Sequence, residues 1–295
     1  MSLTDSVVYQ IYPKSFRDST GDGVGDLRGI IEKVDYIASL GVDHVWFNPF
    51  FPSPGRDNGY DISDYCAIDP AMGTMEDFEE LVAALGEHGI GVMLDMVLNH
   101  VSTDHEWFQR ALAGDPAYQD YFYLLPPKED GSLPTNWVSK FGGPAWAPFG
   151  DTGLYYLCLY DRTQADLNWH NPAVRAQAAG VVNFWRSKGV KDFRFDVINV
   201  IGKTLPLEDA PADTDDRYMY TDGPLVHDYL RELSAASFGQ DPEAMTVGEM
   251  SSTTVEACVG YSNPANGELS MVFSFHHLKV DYADGAKWTR IPYDF

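Results

Sequence analysis

The sequence predicts an α/β fold: a (β/α)8 TIM barrel, incomplete, with about six strands present and a small subdomain inserted after the third. Three observations predict it. Short β-branched and aromatic runs alternate with segments of helical apolar spacing, the rhythm of a parallel sheet. Several of those runs end in polar residues, and a barrel gathers its strand C-termini at one mouth. No glycine-rich phosphate turn follows the first strand, which weakens the runner-up, an open doubly wound sheet.

Each element has its own signal. Residues 7–12 are β-branched and aromatic, and Pro13 ends them as strand one. After a Gly/Asp loop, Leu27, Ile30, Ile31, Val34, Ile37 and Ala38 keep helical spacing until Gly41, which predicts one helix. Residues 42–47 form strand two, closed by Pro49, Pro52 and Pro54. Thr74 and Asp77 read as a capping box for a helix buried through Phe78, Leu81, Val82 and Leu85, and Gly89 ends it. Residues 91–96 are strand three. From 101 to 165 the rhythm breaks into a Trp-, Pro- and Gly-rich insert, too long for a simple connection, so it reads as a subdomain. It divides barrel segments at 1–100 and 166–295. Asn171 then caps a helix with Pro172 in its first turn; Val174, Ala178, Val181 and Trp185 line it, and Gly189 closes it. Strand four spans the almost continuous apolar run from Val190 through Phe193, Phe195 and Val197 to Ile198. Val226, Tyr229, Leu230 and Leu233 mark a further helix. Residues 244–249 are strand five and 269–275 strand six.

Composition narrows the function. A net charge of −24 argues against nucleic acid or an anionic membrane as partner. Cys66, Cys158 and Cys258 are odd in number and far apart, which suits a reducing compartment better than a disulfide framework. The first residues lack a basic-then-apolar leader, and no 18-residue apolar run occurs. The expectation is a cytoplasmic protein with no organic cofactor and a small-molecule partner.

Two charges interrupt strand four. Arg194 and Asp196 lie two apart, so a strand points both to one side. A carboxylate kept ionised beside an arginine serves either as a structural ion pair or as a nucleophile. Strand three ends in Asp95 and Asn99-His100, and strand five carries Glu249. Two carboxylates at one barrel mouth, Asp196 and Glu249, suit glycoside hydrolysis, as nucleophile and acid/base.

Taken together, the set resembles the α-amylase family of retaining α-glycosidases. Asp95, Asn99 and His100 resemble its first signature, Phe193-Arg194-Phe195-Asp196 its second, and Gly248-Glu249 its third. Ala165-Asp166-Leu167-Asn168 resembles the motif closing the inserted subdomain, and Asp57, Tyr60 and Asp61 the loop around the non-reducing glucose. The resemblance implies Asp196 as nucleophile, Glu249 as acid/base and Arg194 as orienting partner, with Asp57, Tyr60 and His100 binding sugar. Stretches 220–224, 246–254 and 275–282 are similar to members acting on trehalose 6-phosphate, a disaccharide phosphate. Such a substrate implies phosphate ligands, expected at Lys279 and Lys287, with Lys203 a further candidate. Val197 after the nucleophile is also similar to oligo-1,6-glucosidases and dextran glucosidases, whose substrates are neutral. Intact Asp196 and Glu249 speak against a non-catalytic interaction module.

Asp18, Thr20, Asp22, Val24 and Asp26 place oxygen donors at alternating positions of a tight loop, with Gly23 at its turn. Three carboxylates in nine residues repel one another unless a cation intervenes, so a structural Ca2+ or Mg2+ is expected there. The family's Asn-His-Asp signature on strand seven is absent, and strands seven and eight are not found. The chain is therefore expected to be the N-terminal part of a longer enzyme, inactive by itself.

Overall fold

The computed structural model of the chain describes residues 5–275, 282–283 and 286–292, with side chains left out at 282–288. Six parallel strands run in sequence order as one curved sheet, a half-barrel: β1 (Val8–Ile11), β2 (His44–Phe47), β3 (Gly91–Met96), β4 (Asp192–Phe195), β5 (Thr246–Met250) and β6 (Met271–Ser274). Val8 pairs with His44, Asp95 with Arg194, Val247 with Arg194 and Glu249 with Phe273. Gly91 matters at the N-terminal end. A Cβ there would lie 2.6 Å from His44 Nδ1 and 2.9 Å from Asp192 Oδ2. Its absence lets those two side chains bond at 2.7 Å across β3.

Helices cover the outer face: α1 (Leu27–Ile31), α2 (Val34–Ser39), α3 (Met75–Glu87), α4 (Pro172–Ser187), α5 (Val226–Ala236) and α6 (Val255–Ser262). The single helix expected over residues 27–38 is two. Lys33 leaves the helical region at φ −112, ψ 8. Leu27, Ile30, Val34 and Ile37 are nonetheless all buried. The apolar spacing reported one buried face, which a break in the backbone does not disturb. The α3 capping box forms as expected, with Thr74 Oγ1 accepting from Asp77 N–H and Asp77 Oδ2 from Thr74 N–H. Phe50, Phe51, Phe78 and Trp185 lock α3, α4 and the loop after β2 into one aromatic cluster, with Phe78 and Trp185 ring centres 5.1 Å apart. α6 escaped the sequence reading because its apolar residues keep no single buried stripe: Val255 and Val259 are exposed, Ala257 and Cys258 are partly buried, and Tyr261 alone is fully buried.

Strand four is shorter than its apolar run. It stops at Phe195. Val197 turns into the left-handed region (φ 40, ψ 39), and Ile198–Val200 is a 3-10 turn. The rest of the run is apolar for a different reason. Val197 and Val200 pack with Tyr123, Trp137, Trp146, Leu157 and Tyr220 in a second core, shared with the insert. The insert itself contains a three-stranded antiparallel sheet, Leu124–Leu125, Tyr155–Leu157 and Trp146–Pro148. A separate ladder pairs His100–Ser102 with Gln164–Asp166, tying its two ends together at the barrel mouth. Among the described residues no helix is long and apolar enough to cross a membrane.

Candidate active site

The register places Asp95, Arg194 and Val247 on one row of three adjacent strands. One residue past the β4 terminus stands Asp196, and near the end of β5 stands Glu249. Their side chains meet at Arg194, which is 3% exposed. Its Nη1 donates to Asp95 Oδ1 and to Asp196 Oδ1, both at 2.6 Å. Its Nη2 donates to Glu249 Oε2. One guanidinium thus serves three carboxylates in a buried position. Burial disfavours its charge, but Asp95 and Asp196 outweigh that and hold it firmly protonated.

Asp95 is the innermost of the three. Its Oδ2 also accepts from Tyr60 Oη at 2.9 Å and from Trp46 Nε1 at 3.1 Å. Burial raises its pKa; Arg194 opposes that, and the neighbouring Asp196 adds to it. Asn48 Nδ2 donates to Tyr60 Oη at 2.8 Å, so the tyrosine that carries the pocket loop is fixed from both sides.

Above this cluster opens a cavity of about 470 Å3. Asp57, Tyr60, His100, Arg194, Asp196 and Glu249 all line it, so the structure brings together every sugar-binding and catalytic candidate named above. Asp57 reaches it on a loop shaped by Asp61, whose carboxylate accepts from Ser53 Oγ and from the Arg56 and Asp57 N–H groups. Burial raises the Asp57 pKa, and the 2.8 Å bond from Gln164 Nε2 opposes it. His100 is held at both ring nitrogens, Nδ1 by Asn99 Nδ2 at 3.2 Å and Nε2 by the Tyr60 carbonyl and Gln164 Nε2, both at 3.2 Å.

Other lining residues were missed. Phe141 and Tyr160 come from the insert, Trp46 and Gln10 from β2 and β1, and Phe273 and Phe275 from β6 and its end. They form an aromatic wall suited to sugar faces. The insert's richness in aromatic residues was the available signal, but composition does not say which rings turn inward. Gln164 directly precedes the Ala165-Asp166-Leu167-Asn168 motif and could have been read with it.

The phosphate candidates divide. Lys203 is fully buried, its Nζ bonded to Asp166 Oδ1 at 2.9 Å, Asn99 Oδ1 at 3.0 Å and the Val200 carbonyl at 2.9 Å. It therefore cannot meet a phosphate at the rim; it ties the insert to the barrel. Lys279 lies outside the described residues, as does the side chain of Lys287.

The acidic loop uses its carboxylates on its own backbone. Asp18 accepts from the N–H groups of Thr20, Gly21 and Gly23, Asp22 from Val24, and Asp26 from Ser19 and Gly29. The Gly23 and Gly21 bonds lower the Asp18 pKa. For Asp26, burial acts upward but the Ser19 and Gly29 bonds outweigh it. The donors are hard oxygens, the chemistry Ca2+ and Mg2+ require. Their placement is not a closed site: among the described residues no three His, Cys, Asp or Glu side chains stand together to hold a metal ion.

The family model described as "Alpha amylase, catalytic domain" matches residues 10–295. The chain is 54% identical to the trehalose-6-phosphate hydrolase of Bacillus subtilis (strain 168), over 98% of this chain and 52% of that protein. It is 44% identical to the oligo-1,6-glucosidase of Bacillus cereus, again over 98% and 52%. The crystal structure of Bacillus licheniformis trehalose-6-phosphate hydrolase superposes with a TM-score of 0.94 at 53% identity, over 98% of this chain and 52% of that one. The chain thus spans about half the length of the relatives it matches.

Proposed function

The chain belongs to the alpha-amylase family, and from that premise we propose that it carries the nucleophile and acid/base of a retaining α-glucosidase acting on trehalose 6-phosphate. One observation carries the reading. Arg194 joins Asp196 and Glu249 in the wall of a single sugar-sized pocket at the mouth of the half-barrel.

In the first step an Asp196 oxygen attacks the anomeric carbon of the non-reducing glucose. The bond from that carbon to the bridging oxygen breaks, and Glu249 gives its proton to the oxygen as glucose 6-phosphate leaves. A glucosyl ester on Asp196 remains. In the second step Glu249 takes a proton from water, the water oxygen attacks the same carbon, and the bond to Asp196 breaks. Glucose leaves and both carboxyl groups return to their starting state. Arg194 keeps the nucleophile oriented between turnovers. Asp57, Tyr60 and His100 bind the glucose hydroxyls, and the aromatic wall covers its faces.

Identities of 54% and 51% to trehalose-6-phosphate hydrolases, against 44% to oligo-1,6-glucosidases, support the phosphorylated substrate. The test uses a chain that completes the barrel. Asp196→Asn should lower turnover by several orders of magnitude with an unchanged circular dichroism spectrum; near-normal turnover overturns the nucleophile assignment. In competition, trehalose 6-phosphate should be consumed ahead of isomaltose. Preference for isomaltose transfers the reading to the oligo-1,6-glucosidases.

A further inference from the structure

The two carboxylates proposed to do the chemistry lie just beyond the ladder that joins β4 to β5. The β4–β5 ladder ends with Gly248 opposite Phe195. Asp196 and Glu249 are each one residue further on. Pairing between β4 and β5 therefore stops where their spacing has to be held, and a retaining site needs its carboxyl groups only about 5–5.5 Å apart.

Asn199 supplies a rung past that point. It stands three residues after Asp196, is fully buried, and its side-chain amide pairs with the backbone of Ser251, two residues after Glu249. Asn199 Oδ1 accepts from Ser251 N–H at 2.8 Å, and Asn199 Nδ2 donates to the Ser251 carbonyl at 2.9 Å. The amide reads both backbone groups of one residue, as a neighbouring strand would. Its second N–H goes to Asp222 Oδ1 at 3.0 Å, and the Asn199 carbonyl accepts from Asp222 N–H at 3.0 Å. Asp222 is anchored in turn by Tyr261 Oη at 2.6 Å and Thr253 Oγ1 at 2.7 Å. Both donors of the amide and its acceptor are used, on partners whose own positions are fixed.

We infer that Asn199 is a positioning residue: its amide clamps the segment after β5 to the segment after β4, and so holds Glu249 within reach of the glycosidic oxygen above Asp196. The inference rests on the roles proposed for those two carboxylates. It differs from a packing role in what it predicts. A misplaced Glu249 hurts only those leaving groups that need its proton, whereas a loosened core lowers all rates alike.

The experiment compares kcat/KM for dinitrophenyl and methoxyphenyl α-glucosides in a chain that completes the barrel. The dinitrophenolate departs without a proton; the methoxyphenolate needs one. Asn199→Ala should lose about 100-fold on the methoxyphenyl glucoside, within the range general acid catalysis supplies, and under 10-fold on the dinitrophenyl glucoside. Asn199→Asp keeps the shape and the acceptor for Ser251 N–H but no longer donates to the carbonyl, and should lose in the same unequal way. It decides the matter if the alanine variant does not fold. Equal losses on both substrates, or none, overturn the inference. Glu249→Gln is measured beside them. If it lacks the leaving-group dependence, the acid/base assignment itself falls. If it shows the dependence and the Asn199 variants do not, the positioning role alone falls.

Discussion

Even with Glu249 carrying the proton it gives up, Asp95 and Asp196 outnumber the Arg194 guanidinium, so the cluster is net negative before substrate arrives. A sugar phosphate brings further negative charge to a chain already at −24. An enzyme for that substrate must gather cations where the leaving glucose sits. With Lys203 buried against Asp166, the role is proposed for Lys279 and Lys287, expected from the sequence and outside the described side chains. Lys279→Ala should cost about 1.5–3 kcal/mol in kcat/KM for trehalose 6-phosphate, the scale of hydrogen bonds to charged groups. Hydrolysis of an unphosphorylated α-glucoside should barely change. The two substrates measured side by side check this, and equal losses on both would make Lys279 structural.

At the scale of the element, the start of α3 carries a pH dependence. Burial pulls the Asp77 pKa up, but the Thr74 hydroxyl and N–H, together with Arg28, outweigh it and hold it below the usual carboxylate value. A carboxyl depressed in the folded state stabilises above its unfolded pKa, about 4, and loses that contribution as pH falls through the folded value. Asp77→Asn should therefore lower the melting temperature at neutral pH, and the gap to wild type should close in strong acid. A gap of constant size in thermal melts at both pH values would show that the charge contributes nothing. The acidic loop before α1 is the second case. Backbone N–H groups lower the Asp18 and Asp26 pKa values, and those two carboxylates still repel. A hard cation drawn between them would relieve this and stabilise the native state by mass action. Chelation should lower the melting temperature by a few degrees; an unchanged melt in EDTA leaves the loop satisfied by its amides alone.

For the whole molecule, the governing fact is an open curve. Among the described residues, β1 pairs only with β2 and β6 only with β5. All four β6 residues are partly exposed, and Phe275 beyond them is 40% exposed. Unpaired ladder edges beside uncovered apolar surface seek partners. Expressed as these 295 residues, the chain should elute from size exclusion as a dimer or larger species and show no measurable hydrolysis. A monodisperse, active monomer would mean that the edges are covered in a way the six-stranded sheet does not suggest.

The sequence by itself determined what periodicity and local chemistry carry. Alternating strand and helix signals put six parallel strands in order. The Thr74–Asp77 box forms where it was read, and polar residues ending apolar runs named Asp95, Arg194, Asp196 and Glu249 as neighbours. These are short-range properties: a strand's alternation and a helix's cap are set by residues two to four apart. Tertiary structure decided the rest. Val197 and Ile198 looked like more strand because burial in any core demands the same apolar residues, and only the left-handed turn at Val197, packed with Trp137 and Tyr220, shows that the strand has ended. Lys203 looked like a cation for substrate because charge is visible in a sequence and burial is not. Asn199 carried no signal at all. Its partner, Ser251, is 52 residues away, and an asparagine becomes a clamp only when the fold brings a backbone to its amide.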